Sequence, residues 1–114
     1  MKNELITQLE TFGYPVYLQG SLTDSDPYPD SFFTFLNRST YADGFYDNDN
    51  ISYDWEFTIY FYSNNPVLVD TKLRDAINLL KTKGWICPDL GFDVISDEKT
   101  HTGRATTVYY KEVN

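Results

Sequence analysis

The chain has 114 residues, of which 41% are hydrophobic and 18% aromatic, and its net charge is −8. This length and composition fit one domain covering residues 1–114 and exclude an intrinsically disordered chain. The single cysteine excludes an internal disulfide, and the acidic charge opposes tight binding to nucleic-acid backbones or anionic membranes.

The acidic charge is concentrated in the N-terminal half of the chain. Residues 1–65 carry ten acids and two bases, whereas residues 66–114 carry seven of each. No apolar run approaches the roughly 20 residues of a membrane span, and the N-terminal stretch lacks the apolar core of a signal peptide. Such a charge distribution suits a basic partner, or a surface past which DNA slides without being held.

The first third of the chain predicts a helix and two strands. Apolar spacing indicates a short helix over residues 2–12. Residues 14–18 form a candidate strand. Because Pro15 has no N–H to donate, either this strand lies at a sheet edge or Pro15 lies at the start of the strand. The turn-rich residues that follow are predicted as a loop. Residues 31–36 carry apolar side chains on both faces, which predicts a central strand covered from both sides.

Residues 37–50 are rich in turn formers and are predicted as a long connector. Long connectors in small domains are usually functional or mobile, so two interpretations stay open. Either this segment is a flexible hairpin loop, or its aromatic and acidic side chains form a contact surface that orders on binding. The candidate contact residues in it are Tyr41, Phe45, Tyr46, Asp47 and Asp49.

Residues 51–63 have the clearest pattern in the sequence. Their odd positions are apolar or aromatic and their even positions are polar or tyrosine, which predicts a half-buried strand. Fully extended, this run measures about 40 Å, which is long for one small sheet. Its end is therefore expected to project from the domain body or to pair with another chain. Tyr60 and Tyr62, on the polar face, join the candidate contact residues.

Residues 66–83 predict the second helix. Asn64 or Asn65 can cap it, Pro66 suits its first position, and Gly84 ends it. The buried stripe of this helix is formed by apolar residues at helical spacing.

Residues 92–96 and 104–113 predict a closing hairpin. Its loop contains His101, and a lone loop histidine is expected to be solvated. The resulting order, α-β-β-β-α-β-β, indicates an α+β fold, in which a mainly antiparallel sheet carries two helices packed on one face.

The sequence contains no recognisable catalytic, metal-binding or cofactor-binding pattern. It has no GxSxG, HExxH, CxxC, Walker or GxGxxG motif. Cys87 is interpreted as a buried small hydrophobe, and the candidate ligands near His101 are only Asp97 and Glu98. The chain is therefore predicted not to be an enzyme and to use no cofactor or metal.

Four segments of the chain carry a resemblance to known proteins: TFGYPVYLQGSL (11–22), YPDSFFTF (28–35), YDNDNISYDWEFTIYFYS (46–63) and DEKTHTGRATTVYY (97–110). They resemble small prophage-encoded proteins of Gram-positive bacteria, and the resemblance spans nearly the whole chain. The order of elements is similar to that of the tail terminator and tail-completion (tail-to-head joining) proteins of long-tailed phages. Because neither group has a mechanistic motif, no functional residue is transferred.

The resemblance implies a virion structural protein that forms a homo-oligomeric ring, commonly a hexamer, which caps the tail tube and docks the head. The expected partners are copies of this chain, the tail tube protein and the head–tail connector, with DNA passing through the ring. The expected location is the host cytoplasm during assembly and the virion afterwards.

An alternative function belongs to a different class. The chain would then be a small acidic binding module that imitates DNA and inhibits a host nucleic-acid-binding protein. Mimicry requires acids spaced like phosphates along one face, and the predicted long strand offers only Asp54 and Glu56, interrupted by tyrosines. This composition disfavours the alternative.

Overall fold

A computed structural model of the protein describes residues 2–18, 29–46, 50–95 and 100–113. Their order is the predicted α-β-β-β-α-β-β, which confirms the α+β class. The elements are α1 (Lys2–Glu10), β1 (Val16–Leu18), β2 (Ser31–Tyr46), β3 (Asn50–Ser63), α2 (Pro66–Thr82), β4 (Phe92–Ile95) and β5 (Thr102–Val113).

The strands form one sheet in the order β1-β2-β3-β5-β4. β1 runs parallel to β2, and every other neighbouring pair is antiparallel. The contact between β1 and β2 is short, because β1 pairs only with the three residues Phe33, Thr34 and Phe35. β3 lies at the centre of the sheet and pairs with β2 and β5 along most of its length.

The two helices begin and end close to the predicted positions. Asn65 is the residue that caps α2, because its side-chain oxygen accepts a hydrogen bond from the N–H of Val67 at 3.1 Å. Gly84 follows α2 with a φ of 92°, a conformation that favours glycine. The first helix ends at Glu10, two residues before the predicted end.

Both helices pack on the same face of the sheet. Trp85, just after α2, fixes the two helices to each other, since its indole N–H donates to the side-chain oxygen of Gln8 at 3.0 Å. The fully buried side chains of β3 are Phe57, Ile59 and Phe61, which confirms the predicted apolar face. The other core residues are Leu5, Leu9, Phe33, Phe35, Val69, Leu73, Ala76, Ile77, Leu80, Trp85, Cys87 and Val108.

The prediction that residues 37–50 form a loop is wrong for most of that segment. β2 continues to Tyr46 and pairs with β3. A bulge explains the error: Asn37 lies opposite Phe57 and Ser39 opposite Glu56, so Arg38 is an extra residue. One extra residue reverses the alternation of side chains, which removes the period-two pattern from the sequence.

The paired strands extend beyond the helical core. Buried apolar side chains of β3 end at Phe57, whereas Trp55 and Tyr53 are only partly buried. The radius of gyration is 15.2 Å, compared with roughly 13 Å for a compact chain of this length. We call residues 39–46, 50–56 and 109–113 the distal arm. It is the projection that the long strand predicts.

The prediction that His101 is solvated is also wrong. The ring is buried, with Nε2 at 2.8 Å from the carbonyl oxygen of Pro29 and Nδ1 at 2.9 Å from the hydroxyl of Thr100. Because a carbonyl oxygen can only accept, Nε2 carries the proton in this contact. Both ring nitrogens are thereby satisfied, and the histidine joins the start of β5 to the segment before β2.

Candidate assembly surface

Three of the predicted contact residues lie in the distal arm. Tyr41 is in register with Asp54, and Tyr46 is in register with Asn50 near the end of the hairpin. Phe45 lies in the irregular stretch just before Tyr46. The structure therefore gathers these aromatic residues on one strand of the projecting hairpin. The other two predicted contacts in this segment, Asp47 and Asp49, lie outside the described residues.

The two tyrosines of β3 lie on the side of the sheet opposite both described helices, which we call the helix-free face. Their rings are parallel, with centroids 6.0 Å apart. Tyr62 is only 8% exposed, and its ring stacks on Phe32 at 5.4 Å. Tyr60 is partly exposed. Of this pair, Tyr62 mainly packs within its own chain, and Tyr60 is the one with exposed surface.

A row of residues crosses the helix-free face at the level of Tyr60. Thr34 and Ala105 are its register neighbours on either side, Tyr17 lies beside Thr34, and Phe92 lies beside Ala105. Tyr17 and Tyr60 are partly exposed, and Phe92 is exposed. Three aromatic side chains thus lie along one line across the sheet, and aromatic residues are enriched at protein interfaces.

Basic side chains lie beside both acids of β3 in the distal arm. The guanidinium of Arg38 lies 3.6 Å from the carboxylate of Glu56, which also accepts a hydrogen bond from Ser39 at 3.2 Å. Asp54 is in register with Lys111 on β5. The acids of β3 therefore have basic neighbours across the sheet, and the described side chains form no continuous acidic row of the kind that DNA mimicry requires.

The β4 side of the sheet exposes apolar side chains that the sequence patterns did not single out. Ile95 is 96% exposed and Phe92 is 52% exposed, although both lie in a strand. Ile86, just upstream, is exposed and pairs with Tyr109 on β5 through an isolated bridge. A weak clue to this exposure is present in the sequence. The apolar strand that follows Pro88 and Gly91 is short, so little of the chain can cover both of its faces.

A cavity of about 330 Å³ lies between the start of α2 and the β4–β5 pair. The charged side chains that line it contact one another within the chain. Arg104 donates to Asp93 at 2.8 Å and to the carbonyl oxygens of Gly91 and Leu90, and lies 3.7 Å from Asp70. These contacts hold β4 against α2. The lining residues are Pro66, Val69, Asp70, Asp93, Val94, Thr102, Gly103 and Arg104.

Within the described ranges, no cluster of three or more His, Cys, Asp or Glu side chains is placed to hold a metal ion. The thiol of Cys87 is buried and points toward the carbonyl oxygen of Ile77, 3.9 Å away. Burial raises the pKa of Cys87, and Lys81 opposes that shift to a smaller extent. A buried thiol with a raised pKa is a poor nucleophile. Neither described helix is long and apolar enough to cross a membrane.

Comparisons with known proteins leave the function to be argued from these surfaces. No protein-family model matches the sequence, and a search of curated proteins finds no significant match.

Proposed function

We propose that this protein is a non-enzymatic structural subunit of a phage virion, which assembles into a ring as a tail terminator or head–tail joining protein. The observation that carries the proposal is the distal arm. Its strands extend past the fully buried part of the core, and the packing thins along them: Trp55 and Tyr110 are only partly buried against the core. Strands with so little packed surface are marginal in water. Contact with a neighbouring copy would bury more of the arm than the single chain does.

The charge of the chain supports a role in which DNA passes without being retained. The net charge of −8 repels a phosphate backbone. A ring subunit meets its neighbours through two different patches, so one chain must offer two non-identical surfaces. The distal arm and helix-free face supply one such surface. The partners of the assembled ring would be the tail tube protein on one side and the head–tail connector on the other.

The alternative, an acidic module that inhibits a host nucleic-acid-binding protein, is less well supported. Lys111 is in register with Asp54, and Arg38, just before the distal arm, lies 3.6 Å from Glu56, so both acids of β3 in the arm have a basic neighbour. A DNA mimic presents uninterrupted negative charge to a basic site, and interspersed bases weaken that attraction.

The proposal is tested by the mass of the protein in solution and by electron microscopy. Light scattering over a wide concentration range, alone and with the tail tube protein of the same phage, should reveal a defined oligomer that negative-stain images resolve as rings. A strict monomer under all these conditions would contradict the ring. Capture of a basic host nucleic-acid enzyme without any tail protein would favour the acidic module instead.

An arm variant makes the same test specific. Replacing Tyr41, Phe45 and Tyr46 together by serine should abolish the oligomer while leaving the unfolding transition of the core cooperative. The control is Asn78→Ser on the exposed side of α2, which should assemble like the wild type. If the triple variant assembles normally, the distal arm is not the contact surface.

A further inference from the structure

Exposed apolar side chains lie mainly along the two opposite edges of the sheet. Ile86, Leu90, Phe92, Ile95 and Tyr109 line one edge, where residues 86–95 follow β5. We call residues 86–95 the β4 edge.

At the opposite edge, Leu18 is 47% exposed and Leu36 is 38% exposed. Leu18 ends β1, and Leu36 follows the last β2 residue that β1 covers. We call residues 16–18 and 36–40 the β2 edge. Leu18 is in register with Phe35, so Leu18 and Leu36 lie on opposite faces of the sheet, and this edge exposes an apolar group on each face. Apolar groups at strand edges favour association.

Within the described part of the chain, both edges also have backbone groups that pair with no strand. β1 covers β2 only from Phe33 to Phe35, and among the described residues no strand pairs with that side of β2 beyond this point. β4 pairs with β5 on one side and ends the described sheet on the other. Edge strands of this kind offer unpaired N–H and C=O groups to another strand.

The two edges differ in charge. The strand residues 16–18 and 31–40 contain one base, Arg38, and no acid, whereas residues 86–95 contain two acids and no base. Arg38 is 54% exposed beside its 3.6 Å contact to Glu56, and Asp93 is 87% exposed beside its 2.8 Å contact to Arg104. Asp89, the other acid, accepts hydrogen bonds from Gly91 and Thr106. Opposite charges at the rims of two surfaces favour their association and set the register.

We propose that the β4 edge of one copy of this chain pairs with the β2 edge of the next copy, head to tail. This inference rests on the proposed ring and adds to the distal arm two strand edges through which neighbouring copies pair. β4 is antiparallel to β5, and β5 runs in the same direction as β2. Neighbouring copies in the same orientation therefore bring β4 against β2 as an antiparallel pair, the arrangement that joins most strands of this sheet.

The pairing also fixes an offset between neighbours. In one chain β4 is level with residues 31–34 of β2, whereas the free part of β2 begins at Leu36. The next copy is therefore displaced along the strands by about 15–20 Å, at about 3.3 Å per residue. Such a stagger is how tilted strands continue around a closed structure.

Disulfide trapping tests the pairing directly. Val94→Cys on the β4 edge is combined in turn with Asn37→Cys, Ser39→Cys and Thr40→Cys on the β2 edge, so that both strand faces are sampled. Under mild oxidation at least one double variant should give a ladder of covalent dimers, trimers and larger species. The corresponding single variants should stay monomeric on a non-reducing gel, because each carries one new thiol and Cys87 is buried. Val94→Cys combined with Asn78→Cys on α2 is the matched control.

Each outcome decides between the possible assemblies. A ladder in a β2–β4 double variant, absent from the control, supports head-to-tail pairing. Covalent dimers from a single β2-edge variant indicate a two-fold contact between identical edges and overturn the proposal. An oligomer in light scattering without any ladder overturns the pairing and leaves the ring intact. A monomer at every concentration, alone and with tail tube protein, overturns both.

Discussion

The ring of Tyr62 in β3 lies against Gly103, its register partner in β5. A Cβ atom added at Gly103 would come within 2.6 Å of two Tyr62 ring carbons and 2.9 Å of a Val94 methyl carbon. The missing side chain is thus what lets the tyrosine pack against the backbone while stacking on Phe32 at 5.4 Å. A glycine that is costly in a strand interior is here the partner of an aromatic ring.

Replacing Gly103 by alanine should therefore destabilise the chain by about 1–3 kcal/mol, the usual cost of overpacking. Urea unfolding followed by fluorescence measures the change. In a Tyr62→Leu background the same substitution should cost clearly less, because the crowded ring is gone. Equal costs in both backgrounds would show that the contact with Tyr62 is not the source of the strain.

The helix cap offers a test in which two neighbouring asparagines serve as variant and control. Asn65→Ala removes the side-chain acceptor of the Val67 N–H and should lower the free energy of unfolding by about 0.5–2 kcal/mol. Asn64→Ala should cost much less, since the hydrogen bond that Asn64 makes to Asp30 uses its backbone N–H. Thermal or urea denaturation of both variants measures the difference. If Asn64→Ala were the more destabilising, Asn65 would not be the residue that caps α2.

The elements with a local pattern are the ones that the sequence predicted well. α2 has a cap, a first-turn proline, an apolar stripe and a glycine stop, and its observed bounds are Pro66–Thr82. From Phe57 to Phe61 the odd positions of β3 are buried as the alternation indicates, because that face meets the helices, whereas Tyr53 and Trp55 are only partly buried. In both elements, local propensity and burial agree.

The distal half of β2 was missed because its strand structure depends on pairing. Arg38 interrupts the alternation, and Asp43-Gly44 has the composition of a turn. Only the register with β3 makes this segment a strand, and a register cannot be read from local composition. Likewise, the burial of His101 depends on the carbonyl of Pro29, 72 residues away in sequence. Prediction of the candidate contact residues was limited in the same way, because their positions also depend on strand register and on residues distant in sequence.

Truncating a core side chain of α2 should lower the free energy of unfolding strongly, whereas a similar truncation on the exposed side of the same helix should have little effect. Leu73 is fully buried between α2 and the sheet, so Leu73→Ala should cost about 2–5 kcal/mol. Val67, in the first turn of the same helix, is 72% exposed, and Val67→Ala should change the free energy of unfolding by less than about 0.5 kcal/mol. Comparable losses in urea unfolding would mean that α2 does not bury the predicted stripe.

Cys87 should react slowly in the folded protein and fast in the unfolded one. Burial raises its pKa, so less thiolate is present at a given pH than in the unfolded chain. Alkylation rates measured between about pH 7 and 10 should rise at higher pH in native protein than in urea. A native rate equal to the unfolded rate would contradict burial of the thiol.

The same pKa shift links stability to pH. Because the folded-state pKa is raised, the contribution of the neutral thiol is complete below the pKa of the unfolded chain. It is lost as the pH rises through the folded-state value. Wild-type protein should therefore lose more stability than Cys87→Ala in alkaline solution, and the comparison cancels the titration of tyrosines common to both. If the free energies of unfolding of the two proteins changed equally with pH, titration of Cys87 would not contribute to the pH dependence of stability.

Charge reversal at the two sheet edges tests whether different surfaces meet in the assembly. Arg38→Glu and Asp93→Lys should each weaken association roughly three- to tenfold, because each places like charges at the rim of the proposed contact. Asp93→Lys also removes the 2.8 Å contact to Arg104, so only recovery when it is combined with Arg38→Glu assigns its effect to the contact between copies. Sedimentation velocity measures the effect, and urea unfolding verifies that each variant is folded. Arg74→Glu on the exposed part of α2 makes the same change in net charge as Arg38→Glu and should leave association unchanged.

Combining the two reversals gives the sharper result. In the double variant, Arg38→Glu with Asp93→Lys, the introduced acid of one copy faces the introduced base of the next at every contact, and association should recover. An equimolar mixture of the two single variants should recover as well, because alternating copies restore an opposite pair at both kinds of contact. Alternation closes without a mismatch only in a ring with an even number of subunits, as in a hexamer. Failure of both combinations would mean that Arg38 and Asp93 do not meet across copies.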